Sequence, residues 1–110
     1  MGVIAKADTL RSLAFGSIGA SYAAVGSAFS FPASIIQLQN LTDATLLFSL
    51  DGTNDHFILV ANSSLVLDVT GNHASDDTGL YFPKMTTVYV KRSGTPTSGS
   101  VYVSLVYNAS

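Results

Sequence analysis

The sequence predicts an all-β fold: an antiparallel β-sandwich of eight or nine short strands with an extended N-terminal arm. Three observations carry that expectation. Glu is absent and Lys and Gln are scarce, while Val, Thr, Ser and Gly are plentiful. Beyond Pro32, short segments alternate apolar and polar residues with the period of two that a half-buried strand requires. Clusters of turn formers separate these segments at short intervals. A jelly roll is the leading arrangement. An immunoglobulin-type sandwich is the alternative, although its Cys…Trp…Cys signature is missing from a chain with neither residue.

The elements follow in chain order. Residues 1–31 are rich in Ala, Gly and Ser and read as an arm that adds a strand to a neighbour or to the sandwich. Within it, 10–15 and 21–25 are weaker strands. Residues 8–14 could instead form one helical turn with Leu10, Leu13 and Ala14 on one side. Residues 32–110 are the sandwich domain. Segment 34–41 sets Ile36 and Leu38 against Gln37 and Gln39, and 45–50 places Leu46, Phe48 and Leu50 together. Segment 56–60 is a short apolar run. Segment 64–69 sets Leu65, Leu67 and Val69 against Asp68. Segment 79–82 is a weaker strand, and 87–91 turns Val88 and Val90 inward and Tyr89 and Lys91 outward. Segment 100–107 sets Val101, Val103 and Leu105 against Tyr102, Ser104 and Val106. Asp51-Gly52 signals a hairpin. Asn62-Ser63 separates two strands, and 93–99 reads as a flexible hairpin loop between the last two.

Charge narrows the function. Charged residues make up 11% of the chain, against the usual ~25%. Five cations and seven Asp leave a net charge of −2. Lys84, Lys91 and Arg92 are too few to hold nucleic acid firmly at physiological salt. A surface so poor in charge suggests that partners cover part of it. The 31 residues from Ser12 to Thr42 carry no charge at all. Gly16, Gly19, Gly26 and Pro32 dilute the run, and Gln37, Gln39 and Asn40 close it, so a covered arm fits better than a membrane span. The start lacks the apolar core of a secretory signal, and Lys6 stands where a myristoylation motif needs Ser or Thr.

No constellation points to catalysis. Without Cys there is no thiolate zinc site and no thiol nucleophile. Asp51, Asn54 and Asp55 could offer oxygens to calcium, but their spacing is not that of an EF-hand, and a hairpin loop explains them. His56 and His73 are the only histidines, and His73 with Asp76 and Asp77 reads as a polar loop. Tyr81-Phe82-Pro83-Lys84 reads as a strand entering a turn with one ring in the core. Sequons at Asn40, Asn62 and Asn108 read as turns and strand ends. The expectation is a non-enzymatic protein with no cofactor, no metal, no nucleic-acid or membrane partner and no small-molecule ligand.

One resemblance covers most of the chain. Its residues are Asp8-Thr9-Leu10-Arg11-Ser12-Leu13-Ala14-Phe15-Gly16-Ser17-Ile18, Asn40-Leu41-Thr42-Asp43-Ala44, Phe48-Ser49-Leu50-Asp51-Gly52-Thr53-Asn54-Asp55-His56, Val66-Leu67-Asp68, Phe82-Pro83-Lys84 and Gly99-Ser100-Val101-Tyr102-Val103-Ser104. In these the chain resembles the small jelly-roll virion proteins of tailed bacteriophages, especially capsid cement (decoration) proteins. The resemblance implies a structural protein of the virion, assembled in the host cytoplasm. It would form a dimer or trimer with itself and bind a major capsid protein or a neck or tail protein. Head–tail neck or tail component is one alternative role, and carbohydrate-binding sandwich module is another. The residues expected to touch a neighbour are Leu10, Arg11, Leu13, Phe15, Ile18, Tyr22, Phe29 and Phe31.

Overall fold

The computed structural model describes residues 4–68, 82 and 84–109. It is an all-β sandwich of two antiparallel sheets with one short 3-10 turn, Phe15–Ser17. The strands are β1 (Ile4–Ala7), β2 (Arg11–Ala14), β3 (Ala23–Ala24), β4 (Ile35–Asn40), β5 (Leu46–Ser49), β6 (Phe57–Leu59), β7 (Ser63–Asp68), β8 (Tyr89–Arg92) and β9 (Ser100–Ala109). The front sheet runs β1-β9-β4-β7, with β2 also on β9, and the back sheet runs β3-β8-β5-β6.

The pairings are nested. β1 and β2 pair with β9, β3 with β8, β4 with β7, and β5 with β6. The first half of the chain therefore lies antiparallel to the second half as one long double ribbon. The ribbon turns at residues 50–56. It wraps into a sandwich because β4 also pairs with β9 and β5 with β8. Among the described residues only the β5–β6 connection is a hairpin between neighbours. The loop at 93–99, expected as a hairpin, instead crosses between sheets from β8 to β9. Its Gly and Ser content supplies backbone freedom, which suits a crossover as well as a hairpin. At its end Gly99 sits at φ +92°, where a Cβ would overlap the Leu41 carbonyl oxygen. At 62 the chain turns from β6 to β7 through Asn62, whose φ of 59° is one that Asn tolerates.

Alternation does what the pattern requires. On β4 Ile36, Leu38 and Asn40 are buried while Ile35, Gln37 and Gln39 face out. On β9 Val101, Val103 and Leu105 are buried. Leu46, Phe48 and Leu59 meet them from the back sheet, with Val88 and Val90 alongside. A fully buried Leu or Phe contributes about 1.5–3 kcal/mol, so this layer is the main source of stability.

The N-terminal residues are woven into the sandwich. β1 and β2 form one edge strand on β9, and Ile4 pairs with Ala109 while Arg11 pairs with Val103. Between them residues 8–10 face two residues of β9, so one residue bulges out. The helical turn weighed for 8–14 is thus replaced by a bulge and a strand. β9 supplies backbone partners along its length, and an edge ladder satisfies more groups than one helical turn would. Phe82 bridges Ala33 and packs against the core. The rest of the strand expected at 79–82, Val69, and the loop holding His73, Asp76 and Asp77 lie outside the described residues. No helix among the described residues is long and apolar enough to cross a membrane.

Candidate functional site

Three of the eight residues expected at a partner surface are committed to the chain's own interior. Arg11, Ile18 and Phe29 are 5%, 6% and 0% exposed. Arg11 points inward from β2, opposite Val103. Its Nε donates to the Ser27 carbonyl at 2.6 Å, Nη1 to Thr9 at 2.7 Å and Nη2 to Ala28 at 2.8 Å. Nη2 also lies 3.5 Å from Asp8 Oδ2, and the guanidinium carbon sits 5.5 Å from the Phe29 ring centre. Asp8 in turn accepts from the Ser30 amide. A charge that seemed available to a neighbour instead ties the edge bulge to residues 26–30. The Asp8…Arg11 spacing is local, but the Ser27 and Ala28 carbonyl partners come from an irregular loop that no local pattern links to Arg11.

The remaining five lie nearer solvent. Leu10 is 57% exposed at the bulge and Phe15 is 37% exposed on the 3-10 turn. Phe31 is 43% exposed and stacks on Tyr107 with ring centres 4.1 Å apart. Leu13 is half-buried against the core. Tyr22 is half-buried on the back sheet, far in sequence from its partners. The structure therefore does not gather the eight residues into one surface.

Tyr22 belongs to the most polar cluster. Its hydroxyl donates to Asp55 Oδ1 at 2.5 Å, and Lys91 Nζ lies 3.1 Å from the same oxygen and 4.7 Å from the Tyr22 ring centre. Burial first, and then the Asp55 carboxylate, push the Tyr22 phenol well above its ordinary 10.0. The Tyr22 hydroxyl, then Lys91, hold Asp55 below its ordinary 3.8. In the adjoining turn Asp51 Oδ1 accepts from the Thr53 and Asn54 amides at 2.8 and 2.9 Å. Those two amides, Asn54 first, hold the Asp51 carboxyl well below the ordinary range. His56 Nδ1 accepts from the Leu50 amide at 3.0 Å. Both Asp51 oxygens are thus engaged as turn-forming acceptors, and Asp55 Oδ1 faces Tyr22 and Lys91. Among the described residues no three His, Asp, Glu or Cys side chains group as a metal site, and no cavity opens.

The outer face of the front sheet is a regular surface shared by four strands. It presents Ser12 and Ala14 from β2, Tyr102, Ser104 and Val106 from β9, Ile35, Gln37 and Gln39 from β4, and Ser64 and Val66 from β7. Asp68 at one corner is the single charge among these outward positions. The back sheet, by contrast, carries Lys91, Asp51, Asp55 and His56. Sequence showed the uncharged run. Only the sheet order showed that it ends up on the same face as uncharged residues from β7 and β9.

No known protein family matches the sequence, and no characterised protein matches it either. Solved structures do. One chain from work entitled "Cyanophage Pam1 capsid asymmetric unit" superposes with a TM-score of 0.56 at 19% identity, over 99% of this chain and 87% of that one. Another, from "Bacillus endospore appendages form a novel family of disulfide-linked pili", gives a TM-score of 0.51 at 12% identity over 100% of this chain and 93% of that one. The shared property is the fold. The disulfide linkage named for the second is not open to a chain without Cys.

Proposed function

We propose that this chain is a non-enzymatic structural protein of a phage particle, a cement protein that associates with itself and clamps shell subunits. The observation that carries the reading is the front-sheet face, broad, regular and almost free of charge. Such a face binds by shape and by amide and hydroxyl contacts, and it loses little solvation of charge when covered. The nested strand pairing supports a jelly-roll reading of the sandwich. The likeness to a phage capsid chain supports a virion setting. A weak contact repeated over a lattice becomes strong by multivalency.

The reading is tested with shells assembled without the protein. Gln37→Lys with Ser104→Lys places two charges side by side at the centre of the face, since these residues pair in register. Shell binding should fall while the melting temperature holds. Unchanged binding by the folded double variant refutes the assignment of this face.

A further inference from the structure

Among the described residues the sandwich has four strand edges, and they are not alike. The β1–β2 edge is broken by the bulge at 8–10 and carries an exposed Lys6. The β3 edge is two residues long and the β6 edge three. The β7 edge, Ser63–Asp68, is six residues long and has no bulge, Lys, Pro or Gly. Short length, a bulge, Lys and Pro are devices that protect an edge from pairing, and the one charge on β7 is Asp68 at its end.

The ladder geometry says which groups β7 offers. Leu41 donates to the Ser100 carbonyl, so odd residues of β4 face β9 and even ones face β7. Through the β4–β7 register, Ser63, Leu65 and Leu67 bond to β4. The N–H and C=O groups of Ser64 and Val66 then point away from the sheet. Among the described residues no strand pairs with them. The flank is apolar as well. Residues 57–67 carry no charge, and Ile58, Val60 and Val66 are 61%, 60% and 54% exposed.

We infer that a second copy of this chain pairs with β7 through its own β7, antiparallel about a two-fold axis at Val66. An antiparallel strand is self-complementary under a two-fold, as a closed dimer requires. This register sets Val66 against Val66 of the second copy as a hydrogen-bonded pair and Leu65 beside its Leu67. The two Asp68 carboxylates fall at opposite ends, four residues apart or about 14 Å at ~3.4 Å per residue. That exceeds the screening length of about 8 Å in physiological salt, so the like charges do not oppose pairing. The front sheets of the two copies become one continuous sheet. This deepens the self-association in the reading above and rests on it. It is tested on isolated protein, so its failure is separate from failure of shell binding.

The chain has no Cys, so a single introduced one reports only where two copies meet. Paired Cα atoms of a hydrogen-bonded antiparallel pair lie ~5.5 Å apart, within disulfide reach. Val66→Cys should oxidise to a linked dimer, while Ser64→Cys, which lies opposite Asp68, should remain monomeric in denaturing gels. In sedimentation equilibrium the unmodified protein should show twice its 11.5 kDa mass. Val66→Lys should raise the dimer dissociation constant about tenfold or more by placing like charges opposite each other. Val66→Pro removes only the outward N–H and spares the β4 ladder, so it should act the same way. Circular dichroism melts confirm that both variants fold. A monomeric wild type, or cross-linking at 64 equal to that at 66, overturns the inference.

Discussion

Replacing Arg11 with Met keeps most of the side chain's apolar stem and removes the guanidinium. The arginine and Asp8 side chains are only 4% and 8% exposed, so both partners are inside the protein. Three carbonyls, on Thr9, Ser27 and Ala28, lose a charged donor. Asp8 loses its cation but keeps the Thr9 and Ser30 amides. Breaking a buried pair from one side costs about 3–5 kcal/mol. The retained amides and the water available to residues 26–30 place this case at the lower end, about 3 kcal/mol. A domain of this length has about 5–15 kcal/mol in total, so the loss is a large share. Urea unfolding should show the midpoint falling with an unchanged slope. Asp8→Asn alone should cost less, since the Arg11 guanidinium keeps its three carbonyls. In the double variant the two effects should be non-additive by 0.5 kcal/mol or more, the order expected of neighbours that touch. Loss of less than about 1 kcal/mol in Arg11→Met would refute the view that this residue ties the edge bulge to the 26–30 loop.

Other outcomes follow from single residues. Gly99→Ala should destabilise by about 2 kcal/mol or more, because φ is +92° and the added carbon meets backbone. Gly52→Ala, also at positive φ but packed against the movable Tyr89 ring, should cost less in the same thermal melt. Asn40→Ala should cost about 2–4 kcal/mol by calorimetry, since the buried amide donates to the Ala44 and Leu59 carbonyls and its oxygen accepts from Thr42. The Tyr22 phenol is raised, so its stabilising bond to Asp55 is present below the ordinary value of 10.0 and is lost only as pH rises through the higher folded value. A phenolate absorbance titration should therefore show one tyrosine lagging, and Tyr22→Phe should remove the lag. Asp51 is lowered, so its contribution is present above 3.8 and is lost as pH falls through its folded value. Asp51→Asn should flatten the acid limb of a stability–pH curve.

The strands from β4 onward were legible because their outward and inward residues alternate, and Ile36, Leu38, Val101 and Val103 do point where that alternation requires. The N-terminal stretch misled for a physical reason. Ile18, Val25 and Phe29 lie in irregular backbone, where no period marks a buried side chain, yet all three are core. Arg11 looked like a surface charge because a buried one is rare unless fully satisfied. Two of its three carbonyl partners come from 16 and 17 residues away, beyond any local pattern.

Sequence by itself determined the fold class, the inward and outward sides of most strands, and the poverty of charge. These are local matters of side-chain type and spacing. Tertiary structure decided which strands are neighbours, which edge is left plain, and that the uncharged residues of four separate strands share one face. Those depend on pairing between residues such as Ile4 and Ala109, at opposite ends of the chain. Backbone hydrogen bonds have nearly the same strength for any partner, so no short stretch of sequence specifies its mate. The choice is made only when the whole ribbon closes and buries its core.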